Sequence, residues 1–195
     1  MSVLFGVSDD ENYFDRGRPR SVRDTMIMLG CEPVFSSSLA ISVCKMMCGI
    51  RGNGTVTEAD VIATQNEHKR EFLSTMIMCG NTSTRNGHVN TKRAPIALAV
   101  YYALLNGFSE ERISKFVESL RTGIYDGKTE SSVAVLRNDI IAAPRDRGRD
   151  DQRRILSMTE RAIVDYMNGV ERKKTYSCAE VKPYIKTDDR VKKGE

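Results

Sequence analysis

Residues Ala94 to Leu105 read Ala-Pro-Ile-Ala-Leu-Ala-Val-Tyr-Tyr-Ala-Leu-Leu, with no charged side chain. No other stretch of the chain is as apolar. A helix that is apolar on every side has no face to give to water, so it belongs at the centre of a core. Pro95 suits the first helical turn, and Asn106-Gly107 suits the end. The segment is shorter than the roughly 18 residues of a membrane span, and no longer apolar run exists. Ala97, Leu98, Val100, Tyr101 and Leu104 are therefore expected among the most buried residues, in a protein with no membrane partner.

The flanking sequence carries helical periodicity on both sides. Ser21-Val22-Arg23-Asp24 resembles a capping box, with Val22, Met26 and Leu29 on one face and Gly30 as the stop. Ala40, Val43, Cys44, Met47 and Ile50 mark a helix over about 37–50. Thr57 opens a third, whose inner face holds Val61, Phe72, Met76 and Cys79, with His68 on the same side. Ser109 caps another, with Phe108 and Ile113 as a hydrophobic staple. Ile113, Phe116, Val117 and Leu120 point inward there, and Gly123 ends it. Val133, Leu136 and Ile140 stripe a helix that Pro144 closes. The last helix spans about 151–168, with Ile155, Ala162, Ile163 and Tyr166 inward and Asn168-Gly169 as the stop.

These readings predict an all-α or mainly α protein, an irregular bundle of about seven helices. A short strand is expected at either terminus, over the first eight residues or around Tyr176, Val181, Tyr184 and Ile185. The expected division is a helical domain over 1–169 and a basic tail over 170–195. The 195 residues are 40% hydrophobic and 29% charged, as in a globular chain. The first six residues carry no basic leader before their apolar side chains, so a cytoplasmic location is expected rather than secretion.

Chemistry-bearing residues are sparse. Cys31, Cys44, Cys48, Cys79 and Cys178 are odd in number and read as reduced thiols, not a disulfide framework. Cys44 and Cys48 share a helix face, but a metal would need two more convergent ligands, and His68 and His88 are the only histidines. No structural metal and no cofactor is expected. The loop Gly49-Ile50-Arg51-Gly52-Asn53-Gly54 lacks the Lys-Ser/Thr of a phosphate loop. Neither histidine has a nucleophile elbow beside it. The pairs Asp9-Asp10 and Asp150-Asp151 sit in polar segments. The expectation is a protein that is not an enzyme.

Basic residues are the remaining signal. The formal charge is +4. Arg16, Arg18 and Arg20 share one loop ahead of a predicted helix N-terminus, where guanidinium groups and the helix dipole can hold phosphates. Arg145, Arg147, Arg149 and Arg153, with Arg154, form a second set, diluted by Asp146, Asp150 and Asp151. Lys173 and Lys174 lie in the basic tail.

The string Phe14-Asp15-Arg16-Gly17-Arg18-Pro19-Arg20-Ser21, followed by a helix ending at a glycine, is similar to the start of the helical half of certain phage and mobile-element proteins. Those proteins carry an N-terminal ParB-like domain of the DGQHR type. Phe116 to Gly123, then Ser132 to Asn138 with its Leu136-Arg137-Asn138, then a helix ending at Asn168-Gly169, resemble the later parts of that half. The resemblance spans about residues 12–170. No Asp-Gly-Gln-His-Arg string precedes Phe14, so the chemistry of the ParB-like half does not carry over. The resemblance implies a phage-type helical module used on its own in the cytoplasm of a bacterial host.

Three functions follow as expectations. The first is a non-enzymatic binding or regulatory protein acting on nucleic acid or a nucleoprotein complex. The second is a protein-binding inhibitor of a host nucleic-acid enzyme, such as a defence nuclease. The third is a structural, oligomeric scaffold.

Overall fold

In a computed structural model, residues 38–47, 68–80, 88–91, 93–125, 131–142 and 149–176 are described. They form six helices and no strand: α1 (Ser38–Met47), α2 (Lys69–Gly80), α3 (Ala94–Leu105), α4 (Glu110–Thr122), α5 (Ser131–Ala142) and α6 (Arg149–Met167). The sequence predicts seven. The helix expected over 21–29 lies outside the described residues, as does the first part of the one expected from Thr57. The all-α class holds. Of the two terminal strands, residues 1–8 and 181–185 lie outside this set, and Tyr176 docks without forming a strand.

Helix α3 packs against α6, α1, α2 and α4. Nine consecutive residues, Pro95 to Ala103, are buried, so every side of the helix faces protein. Ile96, Leu98 and Val100 are at most 2% exposed, and each such burial stabilises by about 1.5–3 kcal/mol. The Tyr101 ring meets Phe72 of α2 edge-to-face, with centroids 5.5 Å apart. Leu104 departs from expectation. It is only partly buried, because the last turn emerges toward Asn106 and Gly107, which are exposed.

The other helices bury the stripes that their periodicity predicts. Val43 and Cys44 of α1, Phe72, Met76 and Cys79 of α2, and Ile113, Phe116, Val117 and Leu120 of α4 join one core. Val133, Leu136 and Ile140 of α5 and Ile155, Ala162, Ile163 and Tyr166 of α6 join it too. The Cys44 and Cys79 side chains are fully buried as reduced thiols. Burial alone pushes the Cys79 thiol up to about 12, so it packs as a small hydrophobe. The predicted boundaries also hold. Ser109 caps α4 by accepting the Arg112 N–H at 3.5 Å, and Gly123 ends it at φ 74°. Gly107 and Gly169 likewise adopt positive φ just past α3 and α6.

Polar contacts orient the bundle. Arg93, at the start of α3, bonds Asp151, near the start of α6, at 3.3 Å. These two helices therefore run in the same direction. Arg112, near the start of α4, donates to the carbonyl of Tyr166, near the end of α6, at 3.1 Å. The carbonyl of Arg121, at the end of α4, accepts the N–H of Val89, just ahead of α3. Helix α4 thus runs back against α3 and α6. Helix α2 does the same, because Ser74 reaches Glu110 of α4 while the Cys79 carbonyl accepts from Thr91.

Residues 170–176 fold back along α5 as a strap. The Arg172 backbone N–H donates to Ser131 Oγ at 2.8 Å, and that of Tyr176 donates to Asp139 Oδ2 at 2.9 Å. Asp165 Oδ2 accepts from the Tyr176 hydroxyl at 3.1 Å and pairs with Arg172 at 3.2 Å. The Arg172 guanidinium lies 4.3 Å from the Tyr176 ring centroid. Burial, and next the Asp165 carboxylate, push the Tyr176 phenol well above its usual value of 10.0.

A raised phenol means that the folded state holds the proton that the unfolded state loses. Its contribution is complete below pH 10 and declines as pH rises further. Tyr176→Phe should be less stable than the parent by about 1 kcal/mol at neutral pH. That gap should hold up to pH 10 and close over roughly the next pH unit in denaturant titrations. A gap that stays constant across this range would contradict the clasp.

Candidate nucleic-acid interface

The orientation of the helices sorts the basic residues between the two ends of the bundle. One end holds the starts of α3 and α6 together with the end of α4. It also holds Arg137, because the Arg137 guanidinium lies against Gly123. A Cβ placed on that glycine would stand 2.9 Å from Arg137 Cζ. Five arginines thus belong to this end, Arg93, Arg121, Arg137, Arg153 and Arg154, and Arg149 stands in sequence at the start of the same helix as the last two. The acidic residues on the same stretches of helix are Glu118, Asp139 and Asp151.

Asp151 organises the first pair. Its side chain is 7% exposed and binds both Arg93 and Arg154, at 3.3 and 3.5 Å. One carboxylate between two guanidinium groups leaves a positive balance, and the two arginines stay 30% and 37% exposed. The Arg93 side of the pair stands at the start of α3. No side chain caps that helix start, so its dipole adds to the positive potential. Arg153 is exposed one residue before Arg154. Arg121 is nearly buried and bonds Glu118 one turn earlier in α4. Arg137 comes from α5 to the same helix end. The N–H of Val89 on the Arg121 carbonyl ties the short segment ahead of α3 to the end of α4.

The residues singled out by sequence distribute unevenly. Arg16, Arg18, Arg20, Arg145 and Arg147 lie outside the described residues. Arg149 opens α6, and Arg153 projects from its first turns at the arginine-rich end. Lys173 and Lys174 are exposed on the strap, at the opposite end. Among the described residues, Arg153 and the pair Lys173 and Lys174 therefore lie at opposite ends of the bundle. Arg93, Arg121 and Arg137 are additions that no local charge run announces. Arg121 and Arg137 stand alone among apolar or mixed neighbours and Arg93 has only Lys92 beside it, and the packing of α4 and α5 against the α3 start gathers them. The one sequence trace is the pair of Leu-Arg dipeptides, Leu120-Arg121 and Leu136-Arg137, whose leucines are both fully buried.

The chemistry open to this end is anion recognition. Guanidinium groups present planar forks that match phosphate oxygens. Among the described residues no group of His, Cys, Asp and Glu is arranged to hold a metal ion. No described helix is long and apolar enough to cross a membrane.

Gly123 matters to the arrangement because its positive φ disfavours any Cβ, and a Cβ there would also displace the Arg137 guanidinium. Gly123→Ala should cost about 1–2 kcal/mol, which lowers Tm by roughly 2–8 °C for a domain of this size. Thermal unfolding of Gly123→Ala beside Gly107→Ala separates backbone strain from the clash. Gly107 has nearly the same φ but open space at its Cβ position. The larger loss should fall on Gly123. Equal losses would mean that Arg137 yields freely.

No protein-family model, curated protein or solved structure matches this chain.

Proposed function

We propose that this chain is a non-enzymatic, phage-type binding protein that engages nucleic acid, free or in a nucleoprotein complex, through the arginine-rich end of its bundle. The observation that carries the reading is the grouping of Arg93, Arg121, Arg137, Arg153 and Arg154, from α4, α5, α6 and the start of α3, against Glu118, Asp139 and Asp151. Phosphate neutralisation by Arg and Lys supplies most of the sequence-independent affinity for nucleic acid. A rigid helical frame fixes the spacing of the arginines, which limits the entropy cost of binding. Arg16, Arg18 and Arg20, with Arg145 and Arg147, are proposed as further contacts from segments that flank the frame. A phage-encoded protein of this kind would act in the host cytoplasm.

The test is fluorescence anisotropy of a labelled oligonucleotide against increasing salt. Arg149→Ala with Arg153→Ala should weaken binding and lower the slope of log K against log salt by roughly 0.7–0.9 for each phosphate no longer neutralised. Circular dichroism should be unchanged, because Arg153 is exposed. Lys173→Ala with Lys174→Ala, at the other end, should leave the slope as it was. Absence of binding by the unsubstituted protein at low salt would overturn the reading. An acidic protein surface, as in a nuclease inhibitor, would then be the partner to seek.

A further inference from the structure

Five large apolar side chains are conspicuously exposed among the described residues: Ile77, Ile124, Tyr125, Ile141 and Val170. Val170 follows α6 at the end away from the arginines, and Ile77 belongs to α2. The other three are placed with the arginines. Ile124 and Tyr125 directly follow Gly123, against which the Arg137 guanidinium lies, and they are 70% and 38% exposed. Ile141 stands one helical turn beyond Arg137 in α5 and is 59% exposed.

From this juxtaposition we infer that the strand bound at the arginine-rich end is single-stranded, with unpaired bases lying on Ile124, Tyr125 and Ile141 while its phosphates follow the arginines. The inference rests on the nucleic-acid reading above. A duplex offers an ordinary phosphate-binding surface its backbone and keeps its bases stacked inside. Exposed isoleucines beside the arginines would gain nothing from that backbone. An unpaired base has an apolar face, and such faces stack on aromatic rings and on guanidinium planes. Charge complementarity selects a polyanion for this end, and the apolar side chains select a polyanion with accessible bases. DNA and RNA single strands share that chemistry.

The experiment compares four labelled probes of one length at low salt: mixed-sequence single-stranded DNA, single-stranded RNA, and a blunt duplex of each. The full chain is titrated beside Ile124→Ala with Ile141→Ala, and beside Tyr125→Ala. These positions are exposed, so circular dichroism should report an intact fold. At least one single strand should bind ten-fold or more tightly than its duplex. Tyr125→Ala should weaken that binding by about 5- to 150-fold, the effect of removing one base–aromatic stack, and the double isoleucine variant should weaken it too, neither changing the salt slope. The stronger of the two single strands identifies the sugar. Equal or tighter duplex binding, or single-strand binding that both variants retain, would overturn the inference and leave the nucleic-acid reading standing. Binding of none of the probes would overturn both.

Discussion

Everything else in this molecule depends on the burial of α3 on all sides. A helix without a polar face can be stable in water only if other helices enclose it. Here α1, α2, α4 and α6 do so. Each of these is amphipathic and gives α3 one apolar stripe, so the central segment sets how many neighbours the fold must supply. The result is a core whose largest fully buried side chains, Tyr101, Phe72, Phe116, Ile96 and Ile113, come from α3 and two of its neighbours.

Burial alone does not decide which way each helix points. That information sits in a few polar contacts at the helix ends. Asp151 joins the start of α6 to the start of α3, Arg112 joins the start of α4 to the end of α6, and the Asp165 clasp returns the strap along α5. Reversing α6 against α3 would separate the buried Asp151 carboxylate from its guanidinium partner, which is far costlier than breaking an exposed pair. The same contacts bring the arginines to one end. Orientation and candidate function therefore share a physical cause, since Asp151 both fixes the parallel pair and holds the guanidinium groups of Arg93 and Arg154.

Much of this is legible in the sequence. The period of 3.6 locates the helices from α1 to α6, and every residue of the inward stripes read for α4, α5 and α6 is buried, beside others such as Met158, Thr159 and Glu160 that the reading does not single out. Glycines at 107, 123 and 169 mark helix ends because only glycine takes positive φ at little cost. The period misjudges Leu104, since it cannot tell how far a neighbour reaches along the last turn. The candidate site is legible only in part. Charge runs point to Arg149, Arg153, Lys173 and Lys174, which the fold places at opposite ends. Arg93, Arg121 and Arg137 escape such a reading because none belongs to a longer charge run, Arg93 having only Lys92 beside it. Their proximity arises from helix packing over separations such as the 58 residues between Arg93 and Asp151, and no local pattern encodes that.

The central claim is that α3 is the enclosed axis on which the other helices assemble. Native-state hydrogen exchange measured residue by residue tests it most directly. If the claim holds, amides from about Ala97 to Ala103 exchange only through global unfolding, with opening free energies equal to the stability measured by denaturant. The amides of α1 and the strap should open at lower free energy. Exchange of the α3 amides well below the global value, while those of α4 or α6 remain protected, would show that the axis lies elsewhere and would contradict the account.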